Sequence, residues 1–304
     1  MNYTKINQTP YKGVEVEELP TKLESNFTKF RRAPFGSRRL YFNKRDPFFY
    51  SGLTTPIGAL ANKSHLNKAA VNMAYQGRSA DFEWNERANY GTCFHLLVGM
   101  HEEGDLTFDF DARSWKNVVD SFIQEYHYQD YAGRWFSDIQ NDMYAYFQWK
   151  KASNVKVLST EIVVHNPAYK IATPLDLIVE MDFNRKRILA NVNFKTGDHP
   201  FAAENLLQVG MEKWLWNTSP ERPFDLDGSF AWRPKNRRTS PGSYELSANA
   251  KDNIPMFEYV AQSVDVLGLN EPSGKIVTFE GIGEEGIMTA LSPQDWLADY
   301  QSRV

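Results

Sequence analysis

The chain has only one cysteine, Cys93, so no disulfide can form within it and a reducing compartment is expected. One Cys and six scattered His also give no paired ligand spacing for a structural zinc. Long apolar runs are missing: none approaches the ~18–20 residues that span a bilayer. The opening MNYTKINQTPYKGVEVEELP has no apolar signal-peptide core, so a cytoplasmic protein (host cytoplasm if viral) with no membrane partner is expected. There is no Gly-rich Walker loop, which argues against ATP hydrolysis, and no internal repeat. A net positive charge is also lacking. The formal value of −4 argues against a protein that coats nucleic acid over its whole surface, while leaving room for a local basic groove.

What is there suits an ordinary folded chain: 304 residues, 42% hydrophobic and 24% charged, with a high aromatic share of 14%. Residues 1–50 read as an N-terminal arm with a basic and aromatic stretch, FTKFRRAPFGSRRLYFNKRDPFFY. Arg31, Arg32, Arg38, Arg39, Lys44 and Arg45 stand there among Phe and Tyr, as phosphate and base contacts or as a solvated loop. Residues 51–304 read as one domain. A helical lead-in over 51–151 carries Trp115, Val118, Phe122, Trp135, Ile139, Met143 and Phe147 at core spacing.

The period then changes. VKVLSTEIVVHN, YKIATPLDLIVEM and KRILANVNFKTG are Val- and Ile-rich runs separated by turn residues, which predicts neighbouring strands. A helix is expected roughly from Phe201 to Trp216, completing a core over 152–220. The extension 221–304 offers strands at GSFAWRPKNRR, SYELS and KIVTFEG, and a last helix after Ser292-Pro293. The fold class is therefore α/β.

Within ILANVNFKTG, Asn193 and Lys195 share a strand face. A buried lysine is costly to keep charged, so Lys195 is either functional or a strand-end residue snorkelling to solvent. Asp176 lies on the preceding strand, and a tight connection through Phe183 and Asn184 would bring it alongside.

Gly91-Thr-Cys-Phe-His95 reads as the opening of a helix, Glu161 as the start of the first strand, and Gln208 lies inside the helix after the lysine strand. In this order (GTxxH, Glu, hydrophobic-Asp strand, xxK-T-G, helical Gln) the chain resembles the PD-(D/E)XK nuclease superfamily, nearest its RecB/Cas4-like and phage recombination exonucleases, from about Leu53 to Trp216. The resemblance implies a restriction-endonuclease-like core, a central mixed β-sheet flanked by helices. It implies Asp176 as the primary metal carboxylate, on a Thr173-Pro-Leu-Asp176 turn. Lys195 would stabilise charge on the scissile phosphate, Glu161 would be a second carboxylate, and Gln208 would hold the site or the nucleic-acid backbone. His95, Asn193 and the Phe194 carbonyl would join Asp176 as ligands of Mg²⁺ or Mn²⁺. Asn193 departs from the pattern: the family has Asp or Glu there, and an amide offers one neutral oxygen.

The function so implied is that of a metal-dependent DNA phosphodiesterase, an exonuclease of phage-type recombination or replication. Its partners would be single- or double-stranded DNA and a recombination or annealing protein. The alternative is a catalytically decayed fold that binds DNA or serves virion assembly; a third reading is an RNA nuclease. Arg233, Lys235, Arg237 and Arg238 in WRPKNRR form a second basic cluster which, with Arg38 and Arg39, is a candidate phosphate contact. Asp109 and Asp111 read as a solvated edge or a cation site. Cys93 and His95, two apart on a helix, diverge too far for a dyad.

Overall fold

The Val- and Ile-rich runs after residue 155 become three long antiparallel strands. The computed structural model describes residues 29–33, 38–61, 64–106, 113–197, 203–249, 252–272, 276–280 and 287–303, so Asp109 and Asp111 lie outside the described residues. In chain order the strands are β1 (Arg31–Arg32), β2 (Leu40–Phe42), β3 (Tyr50–Gly52), β4 (Lys156–Asn166), β5 (Ile171–Phe183), β6 (Lys186–Phe194), β7 (Gly228–Pro234), β8 (Tyr244–Ala248), β9 (Ile276–Glu280) and β10 (Ile287–Leu291). The helices are α1 (Thr54–Leu60), α2 (Ser64–Tyr75), α3 (Ala80–Glu103), α4 (Arg113–Glu125), α5 (Ala132–Ala152), α6 (Ala203–Thr218), α7 (Ile254–Val266) and α8 (Pro293–Arg303).

The protein is α/β, as expected: an eight-stranded mixed sheet flanked by helices. The order is β1-β2-β3-β5-β6-β7-β8, with β4 also on β5; β3/β5 and β6/β7 are parallel and the other pairs antiparallel. β9 and β10 form a separate hairpin. One face of the sheet packs on α3, α4 and α5 through Val179, Val192, Phe194 and Trp232, and the other on α1, α6 and α7 through Ile162, Leu175 and Ile178. Of the expected helical core positions, Trp115, Trp135, Ile139 and Met143 are buried, while Val118, Phe122 and Phe147 pack partly buried against them. Among the described residues no helix is long and apolar enough to cross a membrane.

The β5–β6 turn is as tight as expected. Asn184 and Arg185 both adopt left-handed backbone angles (φ 49° and 64°), the two-residue geometry that matches strand twist. Three stretches differ from their sequence reading. The basic stretch up to residue 50, read as an arm, contributes β1, β2 and the first residue of β3 to the main sheet. Thr173–Asp176 is not a turn but the middle of β5. The α7 helix, capped by the Asn253 side chain, stands where the sequence reading offered no element. The final helix starts as expected, with the Ser292 hydroxyl accepting from the Asp295 N–H at 3.1 Å. It carries Leu297 onto Leu40 and Phe42 of β2.

One irregularity of the sheet places the site. β4 covers one edge of β5 from Ile171 to Glu180, so β3 and β6 must share the other. β3 pairs with Ile171 and Ala172, and β6 begins at Leu177. Between them no described strand pairs with Thr173–Asp176 on that edge. Pro174, which has no N–H to give a ladder, sits in this opening, and Asp176 stands at its end.

Candidate metal centre

Glu161, Asp176 and His95 converge from three elements. The β4–β5 register runs through Thr160↔Leu177 and Ile162↔Leu175, which sets Glu161 opposite Asp176. Glu161 lies in the middle of β4 rather than at its start, and its φ of 49° is left-handed, a region that costs a non-glycine residue about 1–3 kcal/mol and gathers at functional sites. That twist breaks the strand's alternation. Thr160 bonds Glu103 of α3, and Glu161, the next residue, faces His95 of the same helix.

His95 lies inside α3, not at a helix opening. That helix starts fifteen residues earlier, where the Ser79 hydroxyl accepts from the Phe82 N–H. Phe94 locks the helix onto the sheet, stacked on Trp232 at 5.7 Å and edge-on to Phe194 at 5.4 Å. A Cβ at Gly91 would stand 3.1 Å from the Thr196 hydroxyl oxygen, so this glycine lets α3 come close to the end of β6. Between these anchors His95 Nδ1 lies 3.6 Å from Asp176 Oδ1 and 3.7 Å from Glu161 Oε1. These separations are too long for hydrogen bonds. They fall between the ~3.0 and ~4.2 Å that separate ligands of one ion bound at about 2.1 Å. Asp176 Oδ2 is held by the Phe194 N–H at 2.7 Å, leaving Oδ1 for the centre.

Lys195 reaches the same place from β6. Its backbone N–H bonds the Trp232 carbonyl at 2.8 Å, continuing the β6/β7 pairing. Its Nζ donates to Gln208 Oε1 at 2.9 Å. Gln208 Nε2 donates in turn to Glu212 Oε1 at 2.8 Å, one turn along α6. Asn193 Nδ2 donates to that same oxygen, and Asn191 Nδ2 to Glu212 Oε2, each at 3.1 Å. Glu212 is fully buried and was missed in the sequence. Its spacing was the available signal, since a carboxylate four residues after Gln208 shares its helix face.

The electrostatics follow from burial. Burial pushes Glu212 up to about 8, helped by the charge on Asp176 and opposed by Lys195 and the amides. Burial raises Glu161 too, with Asp176 adding to it. For His95 burial pulls down, but Asp176 and Glu161 outweigh it and the imidazole sits above its ordinary value. Burial lowers Lys195 against the pull of Asp176 and Glu212. Cys93 is wholly buried and burial pushes its thiol up, which removes it as a nucleophile.

The basic residues divide. Arg233 and Arg237, expected at phosphates, are taken up inside the protein. Arg233 is buried and forks onto Glu245 across β7/β8. Arg237 bonds both oxygens of Asp142 at 2.9 and 3.0 Å and the Thr196 carbonyl at 2.7 Å, and the Tyr90 hydroxyl donates to Asp142 Oδ2 as well. Their acids lie too far along the chain, or on another strand, for the cluster WRPKNRR to reveal them. Lys235 and Arg238 are exposed. Arg38 is exposed and bonds the Gly268 carbonyl at 3.1 Å. Arg39 is exposed just before β2, and its charge is felt by both Glu161 and Lys195.

The donors suit a divalent cation. His95, Glu161 and Asp176 each offer one ligand atom, all within 4.8 Å of one another. Two carboxylates suit Mg²⁺ or Mn²⁺, and the imidazole favours Mn²⁺ of the two. Asn193, 3% exposed, keeps a buried Oδ1 with no hydrogen-bond partner among the described residues. Phe194 meets Asp176 through its N–H. No family model and no curated protein matches the chain.

Proposed function

We propose that the chain is a metal-dependent phosphodiesterase acting on DNA, with the residue order and site of a PD-(D/E)XK exonuclease of phage-type recombination or replication. The observation that carries this reading is the convergence of His95, Glu161 and Asp176 within 4.8 Å, with the Lys195 ammonium within electrostatic reach of Asp176. His95, Glu161 and Asp176 would hold Mn²⁺ or Mg²⁺, which supplies a Lewis acid and an acidified water when bound. Lys195, kept in place by Gln208, stabilises negative charge developing on the phosphate. Arg39 is the exposed cation best placed to take a neighbouring phosphate.

Purified protein incubated with end-labelled linear single- and double-stranded DNA and Mn²⁺ should degrade it, and Lys195→Ala and Asp176→Ala should not. RNA in the same assay distinguishes a ribonuclease. The position of Asn193 supports a second reading, a decayed site retained for DNA binding or virion assembly, because its NH₂ is turned to Glu212 and no acid stands on β6. DNA retention without cleavage under every metal would favour that reading.

A further inference from the structure

One atom, Glu212 Oε1, accepts from two side chains of the site at once: Gln208 Nε2 at 2.8 Å and Asn193 Nδ2 at 3.1 Å. An amide that gives its NH₂ one way must present its oxygen the other way. Gln208 therefore turns Oε1 to Lys195 Nζ at 2.9 Å. Reversed, it would set an NH₂ against an ammonium. Asn193 likewise leaves Oδ1 on the far side of its amide from Glu212, buried and without a partner among the described residues. Asn193 stands between Val192, the last β6 residue paired with β5, at Leu177, and Phe194, whose N–H donates to Asp176 Oδ2 at 2.7 Å.

We propose that Glu212 is a positioning residue: its Oε1 fixes the polarity of Gln208 and Asn193, so that an acceptor faces Lys195 and an amide oxygen is left free beside Asp176. The requirement is for an oxygen at that point in space, not for the charge. Glutamine at 212 keeps Oε1, and its NH₂, replacing Oε2, meets Asn191; a flip of that amide lets its unpartnered Oδ1 accept from the NH₂, at the loss of the long 3.3 Å bond from Asn191 Nδ2 to the Val209 carbonyl. Aspartate keeps the charge but withdraws the oxygen by one methylene. A fully buried carboxylate with no ammonium in hydrogen-bond contact among the described residues is also expensive to retain.

The test is this crossed pair in the full chain. For turnover it rests on the nuclease reading; for the amide signals it does not. Glu212→Asp is expected to lower kcat on linear DNA and to weaken Mn²⁺ binding in calorimetry, each at least about tenfold, with KM little changed. Glu212→Gln is expected to retain both within about threefold. In ¹H–¹⁵N spectra the Gln208 and Asn193 side-chain NH₂ signals should keep their shifts and slow exchange in Glu212→Gln and lose them in Glu212→Asp. The opposite ranking, or equal loss in both variants, overturns the proposal. If wild type cleaves no DNA, the nuclease reading fails alone, and the amide signals with Mn²⁺ affinity decide this one. If melting shows that Glu212→Asp does not fold, retained amide signals in Glu212→Gln support the proposal and their loss defeats it.

Discussion

The two faces of β6 are both buried, yet they are made of opposite materials. Ala190, Val192 and Phe194 face α3 and α5, where Phe94, Tyr146, Trp149 and Trp232 surround them. Asn191, Asn193 and Lys195 face α6, where Gln208 and Glu212 meet them. A strand covered on both sides ordinarily reads as an unbroken apolar run. Here one face has the composition that stabilises a fold, while the other buries amides and charges that repay their desolvation only through each other. The stretch ILANVNFK thus encodes an apolar face and a polar face by alternation alone.

The difference can be broken from either side. On the proposed metal reading, Asp176→Asn should weaken Mn²⁺ binding by more than about 100-fold in calorimetry while the melting temperature holds, since a charged ligand is lost and the amide oxygen can still accept from the Phe194 N–H. Trp232→Ala, on the apolar face, should cost about 3–5 kcal/mol in urea unfolding. If Trp232→Ala spared stability, the division between the faces would be wrong.

Glu212 sharpens the comparison through pH. Its folded pKa, about 8, stands above the ordinary ~4.3 of an unfolded glutamate, so between those values the folded state holds the extra proton and stability falls as pH rises. Glu212→Gln removes that slope. Its advantage over wild type in chemical denaturation should therefore grow from pH 5 to pH 8 and level off above; an advantage that shrinks over this range would refute the assigned burial cost. The smallest effect is expected from Gly91→Ala. The added methyl presses on Thr196 from 3.1 Å, and the gain in helix propensity of about 1 kcal/mol offsets the contact. Melting should stay near wild type while, on the proposed nuclease reading, Mn²⁺-dependent turnover drops a few-fold, because Thr196 follows Lys195 directly.

Much of this was legible in the chain because it rests on local period. Alternating Val and Ile with turn residues between them marked β4, β5 and β6, and Ser292-Pro293 marked the last helix. The residues that eluded sequence reading depend on partners far away. β2 and β3 are only three residues each; β3 is a strand because β5 receives it, and β2 because β3 does. Arg237 looked like a phosphate ligand because Asp142 lies 95 positions earlier. Glu161 was visible as a candidate, but its left-handed twist was not, since nothing in STEIV requires it. Asn193 was visible as an anomaly; what it answers to, Glu212, sits on another element.

The parallel pairing of β3 with β5 also sets an order of assembly. Ser51 meets Ile171 about 120 residues further along, whereas the β5–β6 hairpin closes over two. Loop-closure entropy and the slowness of non-local pairing place the short-range hairpin first. A chain leaving the ribosome therefore displays Arg39 long before Glu161 and Asp176 have been made, and β3 must wait for β5 before it has a partner there.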